Sequence, residues 1–201
     1  MGNLNLAETI PGQRVLRRIS LILAVCFCHF LVPFAKGQSS PSSEYVSKAT
    51  FLANFPNFVE WPPDAFPNSS SPFALCVVGD FSFGTTLAEL TRSTRVQGHR
   101  IDVRWIRKIE ELSSCHMVFV SRSQVRRYAR MIELLRPSSV LTVGETPEFL
   151  GAGGIMSFSV AQDALQFDVN LEAANHARLK ISSRLLVLAR QVINKREEGR
   201  S

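Results

Sequence analysis

Four cysteines are present, and two of them, Cys76 and Cys115, lie outside an apolar N-terminal segment that contains Cys26 and Cys28. Cys76 sits within the apolar run FALCVVG at residues 73–79. Cys115 opens onto a second run, in the stretch SSCHMVFVS at residues 113–121. Thiols can bridge, ligate a metal, sense redox state or attack an electrophile, and compartment and neighbours decide which. His116 follows Cys115 directly, but Cys76, Cys115 and His116 have neither a fourth ligand nor paired spacing, so no metal site is assigned. Asp102 and the pair Glu110 and Glu111 are not spaced as a general acid and base, and no nucleophile has an evident base partner. Gly151, Gly153 and Gly154 precede a strand pattern, whereas a phosphate cradle needs a strand before and a helix after it, so they read as turn glycines. No catalytic residue and no cofactor is expected.

The compartment decides what the thiols do. Residues 1–37 have the anatomy of a secretory signal: Arg14, Arg17 and Arg18, then an apolar run over 19–34, then Ala35-Lys36-Gly37 before a cleavage site at Gln38. Leu23-Ala24-Val25-Cys26 resembles a lipobox, but Val25 is too bulky for the position and the apolar run continues past Cys26. The run, about 16 residues, falls at the lower limit of a membrane span, and no later segment is as long without charge. An exported chain with no membrane span after signal cleavage is therefore expected. Cleavage removes four of 23 basic residues and one of 17 acidic residues, leaving a net charge of +3 in place of +6. Much of the basicity thus belongs to targeting, and no nucleic-acid partner is indicated. In an oxidising compartment the cysteine pair favours a disulfide between neighbouring core strands. Such a bridge would contribute about 4 kcal/mol in the chain-entropy account. Redox sensing by the same bridge is the second reading.

The elements that must position these residues follow from periodicity. Residues 38–44 are a Ser/Pro-rich lead-in expected to be flexible, and residues 45–198 are expected to form one domain. Apolar residues at three- and four-residue spacing predict a helix from Tyr45, with Val46, Ala49 and Leu52 on its inner face, ended or kinked by Pro56. Strands are expected at 73–79, at 100–106 as a half-exposed edge, at 117–120 and at 140–144. A hairpin over 155–170, turned at 161–163, should add two antiparallel strands. A short helix over 85–90, a Ser121- or Ser123-capped helix through Leu135, and a C-terminal helix from Leu171 to about Arg196 should cover the sheet. Ser182 or Ser183 is a candidate cap for a second helix inside that last stretch. The fold class is α/β: a single-domain sandwich with a mixed, mostly parallel sheet covered by helices on both faces.

Several separated motifs then fall into one pattern. They are Lys48-Ala49-Thr50-Phe51-Leu52 leading to Phe58-Val59-Glu60-Trp61-Pro62, the Cys76 strand with Gly79-Asp80, and Cys115-His116 entering Val118-Phe119-Val120-Ser121. Val140-Leu141-Thr142-Val143-Gly144, Gly153-Gly154-Ile155, Phe167-Asp168-Val169-Asn170 and Ile181-Ser182-Ser183 before Leu185-Leu186 and Leu188-Ala189 follow in order. The chain resembles the YfiR family of bacterial periplasmic proteins. That resemblance implies a regulator with no catalysis of its own, which binds the periplasmic domain of an inner-membrane diguanylate cyclase and holds it inactive, lowering cyclic di-GMP. It also implies a disulfide at Cys76 and Cys115, and a homodimer is compatible with it. A second cysteine pair, carried by some members in the stretch matching 149–154, is missing here, so switching through that pair is not implied. The alternative is a periplasmic small-molecule or redox sensing module acting on another receptor, such as a histidine kinase.

Partner contacts are expected by position, at turns and polar helix faces flanking one end of the sheet: Glu145, Phe149 and Leu150 in one loop, and Arg178, Lys180 and Arg184 in a second segment. Arg122, Arg126 and Arg130 repeat at four and should form a basic stripe, read first as a solvated face and second as a docking surface for an acidic partner.

Overall fold

The computed structural model describes residues 41–79, 82, 84–161 and 164–194. The signal segment at 1–37, the first residues of the lead-in and the end of the expected domain, 195–198, lie outside the described residues. Among the described residues no helix is long and apolar enough to cross a membrane.

The first helix, α1 (Pro41–Asn54), starts within the stretch expected as a flexible lead-in. A proline suits the first helical turn, where its missing N–H has no intrahelical partner, and Glu44 faces the positive end of the helix dipole. Ala49, Leu52 and Ala53 are buried, whereas Val46, counted on the inner face, is half exposed. Pro56 ends the α-helix as expected, and a 3-10 turn, Phe55–Phe58, continues the chain into β1 (Val59–Glu60).

The remaining strands are β2 (Phe73–Val78), β3 (Arg95–Val96), β4 (His99–Trp105), β5 (Met117–Val120), β6 (Leu141–Gly144), β7 (Met156–Ala161), β8 (Ala164–Asn170), β9 (Lys180–Ile181) and β10 (Gln191–Ile193). Eight of them form one sheet in the order β10-β8-β7-β6-β5-β2-β4-β3, while β1 and β9 pair separately and antiparallel. Within the large sheet only β3–β4 and β7–β8 are antiparallel. The mixed, mostly parallel α/β sandwich expected from the sequence is therefore the fold. The hairpin over 155–170 is β7–β8, in register from Met156↔Val169 to Ala161↔Ala164. The strand expected as a half-exposed edge, β4, alternates from His99 to Val103 between buried or half-buried and exposed residues, and the two-residue β3 pairs with it only at His99 and Arg100. Gln97 and Gly98 join the two with φ of 50° and 89°, the backbone that a tight hairpin turn requires.

Alternation along the central strands divides their side chains between two cores. Phe73, Leu75 and Val77 of β2, with Met117 and Phe119 of β5, face α1, Phe55, Phe158 and Phe167. Ala74, Cys76 and Val78, with Val118 and Val120, face α3 (Tyr128–Leu135) and the 3-10 turn Ile109–Ser114. Burial on both faces is why β2 reads as an unbroken apolar run. A short helix, α2 (Gly84–Thr91), connects β2 to the β3–β4 hairpin.

The C-terminal region corrects the sequence reading. In place of one helix from Leu171 to about Arg196, the chain forms α5 (Leu171–His176), β9, α6 (Ser183–Leu186) and β10, after α4 (Pro147–Gly151) earlier in the chain. Arg178 adopts a left-handed φ of 57°, which stops α5, and the next residues extend to pair Val59↔Ile181 and Glu60↔Lys180. Ser182 caps α6 by accepting from the Arg184 N–H, as its type allows. Leu179 and Leu185 reach the core, but Val187 and Leu188 are 84% and 66% exposed and cover no sheet face.

Candidate functional site

Cys76 and Cys115 form a disulfide with their Cα atoms 6.0 Å apart. β2 and β5 are hydrogen-bonded neighbours, and Cys115 lies two residues before β5, so the bridge ties a central strand to the entry of the next. Both residues are buried, Cys76 completely, against Val118, Tyr128 and Met131. His116 does not face a thiolate. Its Nδ1 accepts from the Ala74 N–H at 3.0 Å, and Nε2–H donates to the Ala65 carbonyl at 3.1 Å. Burial, the largest cause, together with the neighbouring His99 and Arg104, holds its pKa below the ordinary 6.5.

The chain leaves β2 for β4 on one side and returns to β5 on the other, so the topology reverses between β2 and β5. In open α/β sheets the crevice outside the carboxyl ends of such strands is the usual ligand position. Here a crevice of about 190 Å³ lies at that point, lined by Lys48 and Tyr45 of α1 with Ser121, Arg122, Ser123 and Glu145. Its charges are satisfied internally. The Lys48 ammonium lies 2.6 Å from carboxylate oxygens of both Glu44 and Glu145, and the Arg122 N–H donates to Glu145 Oε2 at 2.7 Å. Lys48 and Glu145 side chains are 3% and 7% exposed. The cluster fastens α1 across the ends of β5 and β6. Gly79 turns beneath it with φ of 103°, and a Cβ there would meet Ser121 Oγ at 2.3 Å.

The structure separates the six expected partner residues into an internal three and an exposed three. Phe149 is fully buried and Leu150 nearly so; the Phe149 ring meets Tyr128 edge-on at 4.9 Å and fills the space above Gly144 and Gly154. Glu145 belongs to the ion cluster. The socket left by the two glycines draws Phe149 inward. Gly154 is accordingly a packing glycine, while Gly153, with φ of 97°, is the turn glycine. Arg178, Lys180 and Arg184 are exposed. Arg178 donates twice to Asp64 Oδ2 at 3.0 Å and once to Ser139 Oγ at 3.2 Å, and Lys180 lies 4.0 Å from Glu60. The basic stripe is interrupted too: residues Arg122–Arg127 form a 3-10 turn, which breaks the spacing of four, and Arg122 turns to Glu145. Arg126 and Arg130 remain exposed.

Two features escaped sequence reasoning. One is a half-open groove of about 770 Å³, mostly apolar, lined among others by Ile132, Leu135, Leu150, Ala173 and Ile193. The other is Asp168, nearly fully buried, which binds the Arg190 guanidinium through one oxygen and has no partner for the other among the described residues. That bond raises the Arg190 pKa further above its ordinary value. Neither has a local signal, since the groove is assembled from several segments spread between residues 132 and 193, and Asp168 and Arg190 are 22 positions apart.

A search of curated proteins returns no match. Two solved structures resemble the chain: a conserved domain protein of Vibrio cholerae (13% identity, TM-score 0.47) and an ABC domain from Streptococcus pneumonia in complex with L-Trp (11% identity, TM-score 0.49). Each match covers 74% of this chain and 60% of the other, and likeness at this level supports no functional argument. The family comparison reaches further, because its match at residues 45–190 takes in the disulfide, the switch-point cluster and the exposed Arg178 segment together. The chain belongs to the YfiR/HmsC-like family.

Proposed function

We propose that this chain is a periplasmic regulatory protein that binds the periplasmic domain of an inner-membrane diguanylate cyclase and holds it inactive, lowering cyclic di-GMP signalling. The observation that carries the reading is the family match over 45–190, which implies a periplasmic regulator of cyclic di-GMP signalling. The chemistry of the crevice fits a regulatory role: among the described residues its lysine, its arginine segment and its two carboxylates engage one another. Arg178, Lys180 and Arg184 are the proposed contact residues, since they are exposed on one segment and their charge would steer an acidic partner surface. Deleting the gene should raise cyclic di-GMP. Unchanged levels in cells that express the cyclase overturn the reading. A second reading, a small-molecule sensing module acting on another receptor, is favoured by the apolar groove of about 770 Å³. Capture of a histidine kinase in place of a cyclase from inner membranes would decide for it.

A further inference from the structure

Residues 61–72 cross the amino ends of the central strands, and two imidazoles hold them there. His116 bonds the loop at the Ala65 carbonyl through Nε2–H and bonds β2 at the Ala74 N–H through Nδ1. The His99 Nδ1–H donates to the Ser71 carbonyl at 2.6 Å. Between the rings lies Phe66, 4.0 Å from His99 and 4.6 Å from His116 by centroid, stacked within 6° and 14°. One bond of His116, that from the Ala74 N–H, depends on its charge state; Nε2 keeps its proton in either state. A backbone N–H needs a lone pair, so Nδ1 must be bare, and the proton must sit on Nε2 to meet Ala65. Adding a second proton points an N–H at the Ala74 N–H and removes the bond.

We propose that His116 is a proton-operated latch: neutral, it clamps the 61–72 loop to the sheet, and protonation of Nδ1, by setting an N–H against the Ala74 N–H, turns the ring out of its place between β2 and the loop and so releases that loop together with the Arg178 segment fastened to it. The fastening is direct. Asp64, next to Ala65, takes two of the three hydrogen bonds of the Arg178 guanidinium, the third going to Ser139, and the preceding residues Val59 and Glu60 pair with Ile181 and Lys180. Trp61 adds a bond from Nε1 to the His116 carbonyl at 3.3 Å. The coupling to regulation rests on the reading of residues 178–184 as the partner surface; the latch itself does not.

The charges around His116 oppose an imidazolium. On β4 it faces His99 and Arg104, whose guanidinium is already held by Asp102 at 2.7 Å. On the loop, the neighbouring carboxylate of Asp64 is engaged by Arg178. Neither imidazole hydrogen-bonds a carboxylate among the described residues. Burial, the largest cause, and the neighbouring His99 and Arg104 outweigh the Ala65 bond and lower the His116 pKa below 6.5. The released state takes its proton at the ordinary value, so release binds protons. The clamp is at full strength above pH 6.5 and weakens as pH falls, about tenfold per pH unit until the clamped ring itself titrates.

The test uses the purified protein. Imidazole NMR between pH 7.5 and 4.5 should show His116 as the Nε2–H tautomer, titrating below 6.5, and limited proteolysis within residues 61–72 should accelerate over the same range. In H116N the amide oxygen can accept from the Ala74 N–H without titrating, so cleavage should lose its acid acceleration, while H99N should retain it. Titration of His116 at or above 6.5, or equal acid acceleration in wild type and H116N, overturns the latch. If H116N does not fold, the NMR measurement on the wild-type protein decides alone. Neither measurement involves a partner, so failure of the latch is distinct from failure of the regulatory reading, which cyclic di-GMP levels report.

Discussion

Lys48 and Glu145 are 97 positions apart and meet at 2.6 Å with almost no solvent around them. Removing one partner of a buried pair strands the other charge, so Lys48→Met should cost about 3 kcal/mol, whereas the double change with Glu145→Leu should recover most of that. Glu44 keeps part of the ammonium's attraction and limits the recovery. Urea unfolding of the two single variants and the double measures the coupling, and purely additive losses would show that the pair does not act as a unit. Glycines give a second contrast. Gly154→Ala places a Cβ 2.2 Å from the Phe149 ring and 2.8 Å from its carbonyl oxygen, and should destabilise by about 2 kcal/mol. Gly151→Ala meets nothing within 4 Å at the end of α4 and should be neutral or stabilising by a few tenths of a kcal/mol, up to about 1. Equal unfolding midpoints for the two variants would remove the socket argument. At this scale the sequence disclosed what local context carries: Cys76 and Cys115 were identifiable because one lies in an apolar run and the other at the entry of a second, both outside the N-terminal segment read as a secretory signal. Glu145 and Phe149 were not, because a polar loop with glycines gives the same local signal whether its side chains turn outward or into a socket.

Elements were legible where their pattern is short-range. The β7–β8 hairpin needs only alternation around a turn at 161–163, and α1 needs only spaced apolar residues before Pro56. Past Leu171 the same apolar spacing misled. Leu179, Ile181 and Leu185 do bury, wholly or in part, but as a loop residue, a strand residue and a helix residue, because pairing with Val59 and Glu60 outweighs helix propensity. The Cys76–Cys115 bridge acts at this scale, since it closes a loop of 39 positions containing α2 and the β3–β4 hairpin. Reducing it should lower stability by about 4 kcal/mol, less whatever structure the reduced unfolded chain retains. Denaturant unfolding of the Cys76→Ala/Cys115→Ala variant checks this, and a loss below about 1 kcal/mol would show that the bridge does not constrain the unfolded chain as described. Because both sulfurs are buried, reduction of the native protein should be slow and should speed up with denaturant.

Across the whole molecule the two cores share one set of strands. β2 and β5 contribute odd-numbered residues to one core and even-numbered residues to the other, so neither core can open while these strands stay ordered. Strand order was beyond the sequence, because parallel neighbours are chosen by crossovers: nothing in residues 73–78 says that β5, rather than β6, lies beside them. The arrangement predicts how stability is distributed. Amides of β2, β5 and β6 have bonded strands on both sides and buried side chains, so they should exchange only through global unfolding. At one edge, β10 has Gln191 and Val192 exposed and Ile193 half-buried, with a neighbour only in β8. At the other, β3 buries Val96 alone. Both edges should therefore exchange through local opening, with protection that does not change in step with the global midpoint. Hydrogen exchange followed across a denaturant series separates these classes: central amides should follow the global slope and edge amides should stay flat. Protection of β10 equal to that of β2 would mean that the exposed edge is closed by a further contact.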